Sequence, residues 1–503
     1  MKVTERISKN NDNNRKGPFF TLKEERSFYI INRILFVVDS LKGMTSLVNK
    51  QLKKKAQEIG NVPTHYELEI EDYDQKQKKN GQAYFIWKDP KDPEKHITVE
   101  LRNDGALLTF STTVRSETDK QLPDAELKLT ALQFAAAHHS GTFMNFHFQG
   151  KEERGEHIRF VYTKMELGLP IPNSGFLIDM TRSGQIVHFL YYGEGYKAEV
   201  PTEFVAKEKV VSHYLNTMSF ELMYDVIDGE QEPRLVYEPI LPGYSYPADV
   251  DEIVPDQHIA DERIENTAPL PPLQNKEEVD IFALLGFTSD MQKVSERDFG
   301  EQIGSTWRRG AAPERKDLSI GSYFETRNKN TIKMKTDKRT GKLKAALSFM
   351  ERQNNRQCST EECQEIALQF LYALYPRAAE FFRVNPVRID ERGRVRNHFS
   401  VWYKGVPLRF GAARIIVNPE TGLIDAFMAP DIEPEQLEAI NHRPDVSAEE
   451  AGEAFLAAFD VKLEWQPDFT AGSDQHYKLV YKPVYPSYID AHKRKKEKAV
   501  RGV

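Results

Sequence analysis

The feature that most constrains this 503-residue chain is a stretch that occurs twice. From Leu167 the sequence reads LGLPIPNSGFLIDMTRSGQIVHFLYYG, and from Lys404 it reads KGVPLRFGAARIIVNPETGLIDAFMA. Both copies contain Gly, an apolar residue, Pro, an apolar strand, a turn ending on Gly, and a second strand. The motif glycines Gly168 and Gly405 are 237 positions apart, and the turn glycines are 238 apart. This near-constant offset indicates an internal duplication.

Other elements recur in the same order. Hairpins are predicted around Asp104-Gly105 and Thr340-Gly341, where turn residues interrupt an apolar–polar alternation. We match Tyr84-Phe85 with Tyr323-Phe324 between the copies. Each copy is expected to end with a helix and a closing strand, because the tripeptide Leu-Val-Tyr at 235–237 returns later in the chain. Strands with helices between hairpins predict antiparallel sheets with helices on one face. The predicted fold class is therefore α+β, with two tandem homologous repeats.

Composition shifts define the predicted boundaries. The start of the chain is polar and poor in apolar residues, which is typical of disorder. An acidic, Pro-rich segment between the copies is typical of an extended linker. The predicted segments are a disordered arm at 1–17, a helical segment at 18–52, the first repeat at 50–247, the linker at 248–276, the second repeat at 277–490 and a basic tail at 491–503.

The net charge indicates which partners are expected, and the cysteine content indicates the cellular compartment. The net charge of -7 provides no global attraction to nucleic acid or to anionic membranes. We interpret the basic tail as solvated, with phosphate contact as the weaker alternative. No signal peptide or membrane-spanning segment is predicted from the sequence. Two cysteines argue against a disulfide scaffold, so a cytoplasmic location is expected.

The repeated segments Gly168-Leu169-Pro170-Ile171 and Gly405-Val406-Pro407-Leu408, each followed by a strand, a turn Gly and a strand, resemble the YcdB/YcdC-repeat family of bacterial proteins. The repeats of that family look related to PepSY domains. The resemblance implies a helix packed on an antiparallel sheet, in a PepSY-like or cystatin-like arrangement. It also implies a binding or peptidase-regulating role, and it supplies no catalytic residues.

The strings that usually mark catalysis are absent from the sequence: it contains no GxSxG, HExxH, GxGxxG, P-loop or CxxC. The first repeat is rich in histidine, and strand histidines can converge on a metal ion. These histidines lie on different predicted elements without ligand spacing, so no metal or cofactor is predicted. They are His138, His139, His147, His157, His188 and His213.

These observations favour a non-catalytic double-repeat protein that binds another protein or a peptide. Proline cannot donate to a strand ladder and tends to lie at strand starts and edges. We therefore predict a binding edge at Gly168, Pro170, Gly405 and Pro407. The alternative is a hydrolase or other enzyme whose site lies between the repeats. The sequence does not define the oligomeric state.

Overall fold

The computed structural model describes residues 46–74, 81–115, 121–139, 145–193, 197–227, 232–249, 267–273, 279–351, 356–468, 476–486, 488–493 and 496–497. The predicted arm at 1–17 lies outside these residues. So do most of the helical segment at 18–52, most of the linker at 248–276 and part of the tail at 491–503.

The first repeat is one eight-stranded antiparallel sheet with helices that share its core. Its elements are α1 Ser46–Gly60, β1 Glu67–Tyr73, β2 Gln82–Lys88, β3 His96–Arg102, β4 Leu107–Thr112, α2 Asp124–His138, β5 His147–Arg154, β6 His157–Thr163, β7 Met165–Glu166, β8 Leu169–Pro170, β9 Gly175–Thr181 and β10 Ile186–Gly193. The strand order is β1-β2-β3-β4-β10-β9-β6-β5, and β7 pairs with β8 separately. Leu52 of α1 and Leu127 of α2 are buried in one core with the inward residues of the strands.

Local sequence explains these elements. Strand β2 alternates buried and half-buried positions, as expected for a strand with one face on the core. The turn between β3 and β4 is Asp104-Gly105, where Gly105 has a φ of 84°. The Asp104 carboxylate accepts the Ala106 N–H at 2.9 Å, so the turn satisfies its own backbone.

The second repeat has the same architecture. Its elements are α4 Ile281–Leu284, β16 Met291–Asp298, β17 Gln302–Arg309, α5 Ile320–Asn328, β18 Thr331–Asp337, β19 Leu343–Ser348, α6 Thr360–Leu374, α7 Ala378–Phe381, β20 Phe382–Val384, β21 Arg388–Ile389, β22 Val395–Tyr403, β23 Val406–Asn418 and β24 Leu423–Met428. The order β16-β17-β18-β19-β24-β23-β22-β20 reproduces that of the first repeat. The predicted α+β class with two repeated antiparallel sheets is confirmed.

A helix between the second and third strands of the sheet distinguishes the second repeat from the first. Helix α5 lies between β17 and β18, whereas residues 89–95 of the first repeat form a short connection there. Our match of Tyr84-Phe85 with Tyr323-Phe324 is therefore wrong, because the first pair lies in β2 and the second in α5. Aromatic residues suit a half-buried strand and a packed helix equally well, so the dipeptide alone could not distinguish the two.

A helix and a hairpin follow each repeat. After the first come β11 Lys197–Glu199, α3 Lys207–Thr217, β12 Ser219–Val226, β13 Pro233–Ile240 and β14 Tyr246–Pro247, and short strand β15 Ala268–Pro269 precedes the second repeat. After the second come a 3-10 helix at Pro434–Ala439, α8 Ala448–Leu456, β25 Asp460–Pro467, β26 His476–Val484, β27 Tyr488–Asp490 and β28 Lys496–Glu497.

These helix–hairpin units are exchanged between the two halves of the chain. Hairpin β12–β13 joins the sheet of the second repeat, where Tyr224 pairs with Leu408 of β23, and β13 also pairs with β27. Hairpin β25–β26 instead pairs with β11 and β14 of the first half. Helix α3 packs on β25, and helix α8 packs on β12. Each helix therefore covers the hairpin of the other half.

Equivalent hydrogen bonds occur on both sides of this exchange. The Tyr237 hydroxyl donates to the carbonyl of Val446 at 2.9 Å, just before α8. The Tyr481 hydroxyl donates to the carbonyl of Val205 at 2.8 Å, just before α3. The two tyrosines end the duplicated Leu-Val-Tyr tripeptides, so the repeated sequence carries a repeated contact.

Two tandem repeats joined by a linker are expected from the sequence to fold as separate units, and the exchange contradicts this expectation. One buried cluster combines Val210 and Tyr214 of α3 with Val461 and Trp465 of β25. Because each half completes the core of the other, neither half buries its own hairpin against its own helix. The predicted boundaries at 50–247 and 277–490 remain sequence-based predictions.

Candidate functional site

The duplicated Gly-Pro segments form two-residue hairpin turns. Leu167 and Gly168 have φ values of 54° and 75°, and Lys404 and Gly405 have values of 48° and 83°. Two consecutive residues with positive φ define the turn type that best matches the twist of a hairpin, and this explains the repeated Gly. In these segments Pro170 pairs with Met165, and Pro407 pairs with Trp402.

The second of these turns does not lie at a free sheet edge. Pro407 is buried in β23, which pairs with β22, β24 and β12. Pro170 is half-buried, and the first turn packs on β25, where the Trp465 indole N–H donates to the Glu166 carbonyl at 3.1 Å. Our expectation of a sheet edge is therefore wrong for Gly405 and Pro407, whereas strand β8, which carries Pro170, pairs with β7 alone among the described strands. A role in binding for Gly168, Pro170, Gly405 and Pro407 stays a prediction.

Two other edges carry extended segments of the same chain. At the edge of β1, the Glu71 N–H donates to the Leu318 carbonyl at 2.8 Å. The carboxylate of Asp72 in the same strand accepts the Ile320 N–H at 3.0 Å and so caps the start of α5. At the edge of β20, short strand β15 pairs through Ala268 and Pro269. Extended segments of this chain therefore already pair with sheet edges of the same molecule.

The corresponding edges in the opposite repeats are open. Among the strands that the structure describes, β16 pairs with β17 alone and β5 pairs with β6 alone. In the common strand order, β16 corresponds to β1 and β5 corresponds to β20. Each open edge is thus equivalent to an edge that holds an extended segment in the other repeat.

Both open edges carry ion pairs and a bulge, at Gln149 in β5 and at Val294 in β16, but β16 begins the basic stretch 293–357 of the second repeat. In β5, Lys151 forms ion pairs with Asp124 at 2.6 Å and with Glu153 at 2.9 Å. In β16, Lys293 pairs with Glu296 at 2.6 Å, and a bulge at Val294 leaves that side chain 51 % exposed. Charged side chains and bulges protect edges from unspecific pairing, so a partner must match them. We take β16 as the candidate site.

A cleft of about 520 Å³ lies where β1 meets the segment before α5. Its lining includes Glu71, Asp72 and Asp317. Burial raises the pKa of Asp72, whereas hydrogen bonds from Ser319 lower the pKa of Asp317. Asp72 accepts the Ile320 N–H, and Asp317 accepts the Ser319 N–H at 2.9 Å, so both carboxylates hold the start of α5.

The histidines of the first repeat make contacts at several different places in the fold. His139 contacts the Leu107 carbonyl at 2.7 Å, and His188 lies 3.5 Å from Asp179 on a neighbouring strand. Burial lowers the pKa of His138 to about 4. Within the described residues, no group of three or more His, Cys, Asp or Glu is placed to hold a metal ion.

No helix in the same part of the chain is long and apolar enough to cross a membrane.

Sequence reasoning missed β16, although one signal pointed there. Residues 293–357 contain sixteen Lys and Arg but only eight Asp and Glu, in a chain with a net charge of -7. A comparison of the copies by charge, in addition to hydrophobic pattern, would have identified the second repeat as the basic one.

The duplication agrees with the comparisons with known proteins. The family model of the YcdB, YcdC repeated domain matches residues 49–193 and 274–431, more than half of the chain. The chain is 96 % identical over 452 residues to the uncharacterized protein YcdC of Bacillus subtilis (strain 168), covering 90 % of this chain and 100 % of that protein. It is 37 % identical over 471 residues to YcdB of the same strain, covering 90 % of this chain and 98 % of YcdB.

Among solved structures, the YpeB C-terminal domain of Bacillus megaterium is 17 % identical, with a TM-score of 0.25. The match covers 38 % of this chain and 86 % of that domain. The two family-model matches coincide with the two equivalent sheets, and each begins before the first strand of its sheet and ends at or beyond the last. The chain therefore belongs to the YcdB/YcdC repeated-domain family.

Proposed function

We propose that this chain is a non-catalytic binding protein that accepts an extended segment of another protein at the edge of β16. The observation that carries the proposal is the equivalent edge of β1, where the Glu71 N–H already pairs with the Leu318 carbonyl. The duplicated architecture thus supplies one occupied and one open version of the same edge.

Strand addition suits this edge physically. Backbone hydrogen bonds to an added strand contribute about 0.5–1.5 kcal/mol each, and alternate side chains of the added strand provide selectivity. Strand β16 spans eight residues, from Met291 to Asp298, which is long enough for several such bonds. Its bulge at Val294 restricts the register that an added strand can adopt.

The finer assignments belong to the same proposal. The resemblance to PepSY-related repeats implies a peptidase as a candidate partner. We propose the cytoplasm as the compartment, supported by the two cysteines, Cys358 and Cys363, which are both buried and free. A direct role for Gly168, Pro170, Gly405 and Pro407 is tested by replacing both prolines with valine and measuring peptide binding.

Proline scanning of β16 tests strand addition. Successive N–H groups of a strand alternate between its two sides, so either Ser295 or Glu296 donates toward β17 and the other toward the open edge. We expect one of the variants Ser295→Pro and Glu296→Pro to lower the melting temperature. The other should keep it and lose binding of synthetic ten-residue strand-forming peptides, measured by fluorescence anisotropy.

The matched control is the pair Glu152→Pro and Glu153→Pro in the other open edge, β5. Peptide binding that survives both β16 variants but is lost in a β5 variant would refute the assignment to β16.

A further inference from the structure

A row of cations crosses the outer face of the second-repeat sheet, starting at the open edge. The strand register aligns Arg297 of β16 with Gly304 of β17 and Lys335 of β18. The same row continues through Ala345 and Met428 to Arg414 and then His398. The row is on the face opposite the core, because Met334 and Phe399, adjacent to Lys335 and His398, are buried.

An aromatic ring lies among these cations. The Phe299 ring covers Gly304, where an added Cβ would be only 2.5 Å from a ring carbon. The Lys335 ammonium lies 4.7 Å from the centre of this ring, and the Arg297 guanidinium lies 5.5 Å from it. The ring is 36 % exposed, so it presents an apolar platform between two positive charges.

The pKa values of neighbouring groups report a positive environment. Burial, followed by the charges of Arg327 and Arg308, lowers the pKa of Lys333 in the adjacent row. Burial, followed by the charges of Arg414 and Arg388, lowers the pKa of His398 to about 4. A negatively charged ligand would relieve this repulsion.

Carboxylates of the described residues lie near several of these cations. Arg297 lies 3.7 Å from Glu94 of the first repeat. Arg396, in the row next to Arg414, lies 3.5 Å from Asp390. The carboxyl of Asp431, an exposed residue, is within electrostatic range of Arg414 and Lys344, and desolvation nevertheless raises its pKa.

The first repeat has the opposite charge at the same positions. Its register aligns Asp72 of β1 with Tyr84 of β2 and Glu100 of β3, which correspond to Arg297, Gly304 and Lys335. The same sheet therefore forms with acidic residues in these places. Folding does not require the cations of the second repeat, and their presence calls for another explanation.

Strand β1, the acidic edge strand of the first repeat, shows which groups charged residues at this edge can contact. Glu69 of β1 lies 3.8 Å from Arg327 of the α5 insertion, while Asp72 caps the same helix. At this edge a cation of the inserted helix, Arg327, thus lies near a carboxylate of the strand. The row Arg297, Lys335 and Arg414, where the first repeat has Asp72 and Glu100 at the positions of Arg297 and Lys335, is by the same chemistry complementary to an extended, acidic segment.

We propose that the β16 edge and the row Arg297, Lys335 and Arg414 bind an extended acidic polypeptide segment. This inference rests on the proposed function and defines the chemistry of its partner. Backbone groups of β16 pair with the segment, and its carboxylates contact the cations. A long polynucleotide or an anionic membrane would extend beyond the basic region, over the surface of a chain with a net charge of -7.

Charge exchange between the repeats tests this proposal. The double variant Arg297→Asp, Lys335→Glu carries residue types found at the equivalent positions of the first repeat, so the fold tolerates them there. The control, Lys54→Glu with Lys91→Glu, changes the net charge equally at exposed sites in the first half. The probe is a fluorescein-labelled peptide of ten residues with alternating Glu and Val, and binding is followed by anisotropy.

We expect the double variant to bind this peptide at least about tenfold more weakly, and the control to bind as the unaltered chain does. Raising salt from about 0.05 M to about 0.5 M should weaken binding to the unaltered chain similarly. An unchanged affinity in the variant, or insensitivity to salt, would overturn the proposal. The salt series does not depend on the variant folding.

Three further probes distinguish the preference for an acidic segment from strand addition itself: an uncharged peptide, an oligonucleotide and lipid vesicles. Equal binding of a Thr-Val peptide at β16 would overturn the acidic preference and leave strand addition intact. Tighter binding of oligothymidylate or of phosphatidylserine vesicles than of the acidic peptide would overturn the polypeptide assignment. No binding of any peptide would contradict both.

Discussion

At the residue scale, positive φ angles occur at equivalent places in the two repeats. Three positions after the motif proline, Asn173 has a φ of 54° and Phe410 has a φ of 53°. Asn adopts this conformation readily, whereas a bulky residue does so at a cost of about 1 kcal/mol. Phe410 is 59 % exposed, so burial of its ring offsets little of that cost.

We predict that Phe410→Asn raises the free energy of unfolding by about 0.5–1 kcal/mol, because the backbone conformation is relaxed. Urea unfolding followed by circular dichroism measures the change. Phe410→Ala is the control, since alanine removes the ring without favouring positive φ. Equal stabilisation by both substitutions would show that the exposed ring, and not the backbone, is responsible.

At the element scale, locally determined features could be predicted from the sequence. The hairpins at Asp104-Gly105 and Thr340-Gly341 formed as predicted, with φ values of 84° and 69° at the glycines. The turn residues and the alternating pattern are sufficient there. The shared strand order followed from the duplication.

Features that depend on which of two similar segments packs against which could not be predicted from the sequence. Both copies carry Leu-Val-Tyr, at 235–237 and 479–481, and the two hairpins are similar enough that sequence does not show which helix covers which. The α5 helix was not predicted from the sequence because its aromatic residues are also typical of a strand. The candidate edge at β16 was missed because openness depends on what the rest of the chain leaves uncovered.

Helices α3 and α8 differ at their first residues. Ser447 caps α8 in a capping box with Glu450, with bonds of 3.1 and 3.0 Å. Ala206 occupies the equivalent position before α3 and provides no side-chain bond. We predict that Ser447→Ala lowers the free energy of unfolding by about 1 kcal/mol and that Ala206→Ser raises it by a smaller amount.

Thermal unfolding of the two single variants measures these effects. A loss of stability in Ala206→Ser would mean that the backbone before α3 does not present the serine to the helix. It would also limit the equivalence of the two helix–hairpin units.

At the scale of the whole molecule, the exchanged helix–hairpin units join the two halves. The Tyr237–Val446 and Tyr481–Val205 hydrogen bonds cross between halves, and so does the pairing of β26 with β14. A buried core shared in this way resembles an obligate interface more than a contact between independent domains.

We predict that cutting the linker does not separate the halves. A specific protease site inserted after Asp256 should give two fragments on a denaturing gel and one species of about 58.0 kDa in native size-exclusion chromatography. The combined variant Tyr237→Phe, Tyr481→Phe should let the fragments dissociate at lower urea concentration. Two separate peaks for the cut, otherwise unaltered chain would disprove the exchange.

The charge distribution over the whole molecule supports the central claim. The first repeat contacts Arg327 of the inserted helix through Glu69 of its edge strand, and the second repeat has Arg297 and Lys335 where the first has Asp72 and Glu100. The two copies share a fold but differ in the charges of these positions. The β1 edge therefore contacts a segment of the same chain, and the β16 edge is the proposed site for another protein.

Hydrogen exchange of the intact chain, with and without the Glu-Val peptide, tests this claim most directly. Strand addition at β16 predicts slower exchange at alternate backbone amides of Met291–Asp298, with no change in β5. Protection confined to β5, or to the turns at Gly168 and Gly405, with β16 unaffected by saturating peptide, would contradict strand addition at β16.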